Sequence, residues 1–324
     1  MLRYIIRRLL WLVLVLIVIV AITYSIFFLL PGGGSDAIAN RFAGKAPTED
    51  IINQVKAELG LDKPIYIQFA RFTEHLFLGD QYGWPGLGKS YVERAPLKPI
   101  LIDRMWITIQ LAIGAAIVWL LVGIPIGILS ALRPHSIFDR AAMTFALLGI
   151  SMPVFFIGPL AAFFFVYQWN ILPSPGYHPI SEGVGPWFSG FILPWCVLAL
   201  LYAAFYARLS RANLLEVMGE DYMRTARAKG LSERKVIVKH GLRSSLTPIV
   251  TVFGLDLAGL LAGAIITERV FNLQGLGFYT VQAVFRFDVY AILDVTIIAA
   301  FFVTFANLAV DIVYAFLDPR VRYT

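Results

Sequence analysis

The sequence predicts an all-α integral membrane protein that crosses the bilayer six times, with a small helical insertion between its first two spans. Three observations predict it. Hydrophobic residues make up 59% of the 324 positions and the mean hydropathy is +0.74, well above soluble domains. Charge-free runs cover Leu9–Leu30, Met105–Leu132, Ala141–Ser181 and Gly183–Ala207, each long enough for the about 20 apolar residues that a crossing needs. Two further stretches, Ser244–Thr267 and Val289–Phe316, are interrupted only by Asp256, Asp294 and Asp311.

The first run follows Arg3, Arg7 and Arg8, a basic start shared with cleaved leaders. It is too long for a leader's apolar region, and Pro31-Gly32-Gly33-Gly34 is not a small-x-small cleavage site. It reads as a retained span, giving residues 1–30 as an N-terminus plus first helix.

Residues 31–104 form the insertion. Thr48 is placed to start a helix through Glu58, with Ile51, Ile52, Val55 and Leu59 on one side and Gly60 as its stop. A second helix is expected over about Pro64–Leu78, with Ile65, Phe69, Phe72 and Leu76 at helical spacing. Gly79–Gly88 reads as a glycine-rich loop, and the whole insertion as a lid packed on helix ends. Residues 105–317 hold spans two to six and 318–324 a short tail. Gly123, Pro125 and Gly127 in span two, and Pro153 and Pro159 in span three, are tolerated where neighbouring helices re-satisfy the backbone.

Basic residues orient the bundle. With an inside N-terminus, the inner segments Met1–Arg8, Arg133–Arg140, Arg208–Arg243 and Asp318–Thr324 carry 16 Lys and Arg, while the short outer segments Trp169–Ile192 and Glu268–Asp288 carry 2. Long outer loops escape this rule, so the 9 basic residues of 31–104 do not weigh against it. Both termini are expected in the cytoplasm. The net charge of +6 is then a topology signal and calls for no nucleic-acid partner.

Cys196 is the single cysteine, so no intrachain disulfide forms, and the four histidines lack metal-ligand spacing. No metal site and no cofactor are expected. Gly83–Ser90 matches G-x-x-x-x-G-K-[ST] letter for letter, the loop that wraps nucleotide phosphates between a strand and a helix. The preceding residues read as an amphipathic helix, and a following helix would meet Pro96 and Pro99. The match is rejected, and no nucleotide is expected at this loop.

Residues 208–243 are the most informative. Glu216, Glu220 and Asp221 precede a stretch closing on Arg227 and Lys229, a charge order that complements a helix dipole. Ala226 and Ala228 are small, Gly230 can end the helix in a left-handed conformation, and Ser232 can cap a second helix with Glu233 in its first turn. The result is a short helix strung between two spans. Two uses fit it: docking in a partner's groove, or resting on anionic lipid.

Carboxylates inside spans are costly, about 2.5–3.5 kcal/mol on insertion scales. Asp256, Gly259, Gly263 and Thr267 follow helical spacing, as do Thr304, Asn307 and Asp311. The first stripe either lines a solute path or packs helices through internal hydrogen bonds. Asp311 sits where it can fix the end of span six.

The run Asp221-Tyr-Met-Arg-Thr-Ala-Arg-Ala-Lys-Gly-Leu-Ser232, followed by His240-Gly-Leu-Arg-Ser-Ser-Leu-Thr-Pro248, closely resembles the coupling loop of the dipeptide/oligopeptide/nickel permeases, a branch of the type I ABC importers. Leu59–Pro64, Gly79-Asp80, Gly88–Ser90, Gly263–Glu268, Gly275–Gly277 and Asp311 through Asp318-Pro-Arg320 extend the likeness over nearly the whole chain. Two departures stand out. Arg224-Thr225-Ala226 replaces the broader motif's Glu-Ala-Ala, and Gln81–Pro85 is inserted beside Gly79-Asp80.

The resemblance implies a type I importer permease fold. It implies that Glu220, Asp221, Tyr222, Arg224, Thr225, Ala226, Ala228 and Gly230 engage an ATPase subunit. It implies a homologous permease as heterodimer partner, two ATPase subunits that use ATP and magnesium, an external solute-binding protein, and alternating access for di- or oligopeptides. Nickel or another small solute is the alternative within that class. A secondary transporter using Asp256, Asp294 or Asp311 as proton relays is the alternative outside it.

Overall fold

The computed structural model describes residues 2–29, 39–40, 48–59, 61–90 and 92–317. The described residues are helical throughout apart from turns, loops and two isolated β-bridges. Gly60, the Pro31–Gly34 run, the 318–324 tail and the Asp311 side chain lie outside them.

Helix α1 (Leu2–Leu29) runs unbroken. It buries a narrow edge, Val20, Thr23, Tyr24 and Phe28, and leaves Leu10, Trp11 and Ile22 exposed. That is the distribution of a span whose outer faces meet hydrocarbon rather than water. Helix α2 (Glu49–Leu59) begins directly after Thr48, whose carbonyl accepts the Ile52 N–H at 3.1 Å. Helix α3 (Ile65–Leu78) matches the expected second helix and stops at Gly79, whose φ is +96°. The insertion packs through Leu61, Leu76 and Leu87 onto Tyr24, Leu97 and Leu101, a lid against helix ends.

Helix α4 (Leu97–Leu132) and helix α7 (Val184–Gly219) are the longest, 36 residues each. At 1.5 Å per residue each is about 54 Å long, more than the roughly 30 Å of hydrocarbon. Both therefore outrun the apolar stretches read in the sequence. Helix α4 starts eight residues before Met105, and α7 runs twelve residues past Ala207. The two lie along one another because glycines sit at their contact. A Cβ on Gly123 would stand 2.7 Å from the Ala203 carbonyl oxygen, and one on Gly127 would strike the Ala207 carbonyl and the Ser210 Cβ. Above them Gly114 faces the Trp195 indole. Trp119, Leu111, Phe191, Tyr206 and Phe271 fill the core around this pair.

Span three is not the continuous helix that Ala141–Ser181 suggests. Helix α5 (Ile137–Ser151) ends before Met152-Pro153, and α6 (Val154–Ala162) leaves at 103° to it. Proline disfavours a helical residue before it, so Pro153 ends one helix and caps the start of the next. Helix α6 passes into a π-helical turn at Phe163–Gln168, and the chain then runs irregularly to a short turn at Ile180–Glu182.

Helix α8 (Asp221–Ala228) follows α7. Then come α9 (Glu233–Ser245), which contains a π-helical stretch, and α10 (Thr247–Leu261), bent by 43° from it with Pro248 in the first turn. Span five stops at Leu261. The residues Ala262 to Ala264 break the helix, with Gly263 at φ +133° and its Cα side against Gly277. A short α11 (Ile265–Val270), α12 (Leu276–Arg286) and the long α13 (Val289–Leu317) complete the chain. The Asp256, Gly259, Gly263, Thr267 stripe is thus divided. The first two share α10, Gly263 is the break, and Thr267 lies on α11, where it is buried. Helical spacing across a glycine that takes positive φ is not helical continuity.

Among the described residues four helices are long and apolar enough to cross a membrane, and up to six spans result if each bent pair counts as one.

Candidate coupling helix and solute path

Helix α8 hangs between α7 and α9 with two distinct sides. Met223 and Ala226 are buried and pack with Val236. Met223 also reaches Gly241, where a side chain's Cβ would already touch the Met223 Cε at 3.4 Å and Leu214 at 3.5 Å. Glu220, Asp221, Tyr222, Arg224, Thr225, Ala228 and Gly230 lie on the outer side, Ala228 and its neighbours at the surface. The row expected to engage a partner is therefore outward with one exception: Ala226 faces the chain's own helices.

The exit from α8 is fixed as the sequence suggests. Gly230 takes φ +76°, a left-handed conformation that spares Cβ strain only for glycine. The Gly230 N–H donates to the Arg227 carbonyl at 2.9 Å. Ser232 occupies the capping position of α9 without a side-chain hydrogen bond to its first turn. Glu233 instead turns back across the Gly230 corner to Arg227, which donates from Nε at 3.1 Å and from Nη2 at 3.0 Å. The clamp ties the exit of α8 to the start of α9.

At the same end, α5 is tied to α7. The Arg211 guanidinium donates through Nε to Asp139 Oδ1 at 2.6 Å and through Nη2 to Oδ2 at 2.8 Å. Asp139 Oδ2 accepts the His135 N–H at 2.9 Å, and Ser136 Oγ accepts the Asp139 N–H at 3.1 Å.

At the opposite end, Glu268 joins three helices. Its Oε1 accepts the Thr108 hydroxyl of α4 at 2.7 Å, and its Oε2 accepts the Phe278 N–H at the start of α12 at 2.7 Å. The Thr108 oxygen in turn accepts the Leu276 N–H at 2.8 Å. A carboxylate on the N–H groups of a helix start is the favoured polarity. Gly275 sits so close that a Cβ would come within 2.6 Å of the Glu268 carboxyl. Burial pushes the Glu268 carboxyl above its ordinary value, against the opposing pull of the Thr108, Phe278 and Gly277 hydrogen bonds. Asp288 does similar work at the start of α13, accepting the Ala291 N–H at 3.3 Å and the Ser90 hydroxyl.

Four backbone N–H groups of the phosphate-loop match are taken up by the chain itself. The Gly83 N–H donates to the Asp80 carbonyl, Gly86 to His75 and Ser90 to Ala95, while the Gly88 N–H donates to the Asp80 carboxylate at 2.7 Å. Helix α3 precedes the loop where a strand would be required. The Gln81–Pro85 insertion is the tip of this turn. It is pinned by the Tyr82 N–H on Asp80, by the Trp84 indole N–H on the Phe77 carbonyl and by Lys98 on the Trp84 carbonyl.

Inside the bundle, Asp256 on α10 is half-buried and accepts the Tyr206 hydroxyl of α7 at 2.9 Å. Tyr206 borders a ring cluster in which Tyr202 stacks on Trp119 at 4.6 Å between centroids. Gly259 lies open, with nothing within 4 Å of where a Cβ would stand. Asp294 is fully buried, and neither of its oxygens meets a hydrogen-bond donor among the described residues.

Sequence reasoning missed Met223, the Arg227–Glu233 clamp, the Asp139–Arg211 pair and the Glu268 junction. Asp139 carried a signal, as the one acid in an otherwise basic short loop. The others depend on which residues meet across helices.

Long apolar helices, bent spans with carboxylates inside the bundle, and a short two-sided helix strung between two of those spans define a polytopic transport subunit. The chain belongs to the binding-protein-dependent transport system inner membrane component family, whose model matches residues 123–323, with the family's N-terminal model matching 1–112. Among curated relatives it is 37% identical to a protein of Sinorhizobium fredii named "Probable peptide ABC transporter permease protein", over 99% of both chains. It is 36% identical, over 100% of both, to a glutathione transport system permease protein of Salmonella paratyphi A. The inward-facing MetNI methionine ABC transporter shares its fold at a TM-score of 0.55 and 19% identity, over 69% of this chain and 98% of that one. The chain is a multi-pass membrane subunit for translocation, of a family that works with ATPase subunits and a binding protein.

Proposed function

We infer that this chain forms, with a homologous permease as a heterodimer, the translocation path of an ATP-driven importer for di- or oligopeptides. The peptide assignment rests on the naming of its full-length relatives. Both termini are read as cytoplasmic from the bias of basic residues, which puts α8 inside and the 31–104 insertion outside. The chain itself hydrolyses nothing. ATP and magnesium belong to the two ATPase subunits, and peptides arrive on an external solute-binding protein.

The observation that carries the reading is the two-sidedness of α8. Met223 and Ala226 root it in the chain, while Tyr222, Arg224 and Thr225 are presented outward. A helix so rooted passes a push received on its outer face to α7 and α9. ATPase closure would bring the two α8 helices of the heterodimer together and open the spans outward; hydrolysis would reset them.

The test uses the assembled transporter in proteoliposomes with its binding protein. Tri-alanine should stimulate ATP hydrolysis and be taken up. Tyr222→Ala and Arg224→Glu should still insert and fold but lose uptake, through weakened ATPase binding or idle hydrolysis. Normal uptake by both variants would refute the coupling role of α8. Stimulation by a nickel chelate and not by peptides would refute the peptide assignment.

A further inference from the structure

Asp256 is the carboxylate that the bundle has left half-satisfied. It lies nine residues into α10 among Phe253, Leu255, Leu257 and Leu260. Among the described residues its donor is the Tyr206 hydroxyl, which occupies Oδ2 and leaves Oδ1 open. None of the ion pairs among the described residues involves it. A carboxylate in that position cannot face hydrocarbon without a large desolvation cost. Its exposed side must meet water or a charged partner. The same side of α10 is kept clear one turn further on, where Gly259 is exposed with open space around it. The Tyr206 ring and the Trp119 ring that it meets are fully buried, so the attraction for a cation comes from the open carboxylate oxygen.

We propose that Asp256 is a cation-accepting subsite on the solute path and that its ligand is the α-ammonium group of a peptide in passage. The identity of the ligand rests on the peptide reading above; the existence of the subsite does not. Every unmodified peptide carries that ammonium. One open carboxylate oxygen attracts it, and the same charge repels the peptide's carboxylate, so the subsite orients the solute. A single exposed pair is weak, which suits a path, where a solute must be held loosely enough to leave. Tyr206 acts as a positioning residue, fixing the carboxylate from its far side.

Two measurements on the assembled transporter test this. In a Cys196→Ser, Gly259→Cys background, membrane vesicles are labelled with trimethylammonium-ethyl and with sulfonatoethyl methanethiosulfonate, each rate normalised to a free thiol. A unit charge within one helical turn should favour the cationic reagent by about tenfold, and Asp256→Asn should bring the ratio to about one. Tri-alanine uptake with the binding protein present should fall about tenfold in Asp256→Asn and recover partly in Asp256→Glu. A ratio that ignores Asp256, or an introduced thiol that neither reagent reaches, overturns the subsite. Equal tri-alanine uptake with and without the carboxylate overturns the α-ammonium as its ligand while leaving the peptide reading intact. If the unmodified transporter ignores tri-alanine but the labelling ratio still follows Asp256, the peptide reading falls, and the α-ammonium with it, while the cation-accepting site stands.

Discussion

Arg211 and Asp139 meet as a two-point ion pair, Nε to Oδ1 at 2.6 Å and Nη2 to Oδ2 at 2.8 Å, and so join α7 to the first turn of α5. The Asp139 side chain is 4% exposed and that of Arg211 23%. Because α7 continues directly into α8, this pair also sets where the α8 end of the bundle stands relative to span three.

Asp139→Asn should therefore cost stability even though it changes only one atom. Removing one partner of a buried pair leaves the other charge unmatched, at about 3–5 kcal/mol when burial is complete. The partial exposure of Arg211 argues for about 2 kcal/mol here, since solvent screens part of the loss. Arg211→Lys should cost nearly as much, because an ammonium cannot serve both oxygens at once. Thermal unfolding of the purified chain in detergent measures both. A melting temperature unchanged in both variants would rule out the pair as a tie between the helices.

The two attachments of α8 should contribute unequally. Met223 is fully buried against Val236, Leu214 and Gly241, and truncating a buried Met costs about 2–5 kcal/mol. Met223→Ala should loosen α8, seen as faster proteolysis at residues 219–232 and lower transport. The Arg227–Glu233 clamp is exposed, with Glu233 at 55%, and Arg227→Gln should leave the melting temperature almost unchanged. Ala226→Arg belongs with Met223→Ala, because a long side chain there unseats α8 before any partner is met. The reverse order of effects would show that the clamp, and not the buried methionine, holds the helix.

Glu268 gives the bundle a pH dependence of definite sign. Its folded carboxyl binds a proton more tightly than the ordinary value of 4.5, because burial disfavours the charged form. Stability from this group is full below 4.5 and is lost as pH rises through the raised folded value. Glu268→Gln cannot ionise, so the difference in melting temperature between it and the unmodified protein should change across that window and be flat above it. A difference that stays constant with pH would mean that the hydrogen bonds from Thr108 and Phe278 cancel the burial.

The spans are legible because apolar length is additive along the chain, and the short helix α8 because its charge order and terminal glycine leave marks in sequence. Breaks are less so. A proline such as Pro153 can be tolerated inside a span, yet the structure turns by 103° there, since tolerance depends on which neighbour re-satisfies the freed backbone groups. Gly263 keeps helical register with Asp256 and Thr267 and still interrupts the helix, because register says nothing about φ. Glu268 and Thr108 lie 160 residues apart, and nothing local to either announces the other. Of the residues that the resemblance marks on α8, all but Ala226 are exposed. The inward seat of Ala226 is not legible, because the choice of side is made by Met223 and Val236.

Glycine positions offer a final contrast between close packing and open surface. Gly127 on α4 stands against the Ala207 carbonyl and the Ser210 Cβ, so even a methyl group must push α7 away. Overpacking of that kind costs about 1–3 kcal/mol, and Gly127→Ala should lower the melting temperature. Gly123→Ala should do so somewhat less, since the nearest backbone oxygen its methyl group strikes would stand at 2.7 Å rather than 2.4 Å. Gly259 on α10 meets nothing within 4 Å. There alanine removes glycine's helix penalty of about 1 kcal/mol, so Gly259→Ala should raise the melting temperature of the isolated chain. In the assembled transporter the same methyl group projects toward whatever crosses that face. A variant that is more stable alone and slower in uptake would place Gly259 beside the solute or the partner permease. Unchanged uptake would assign it to lipid.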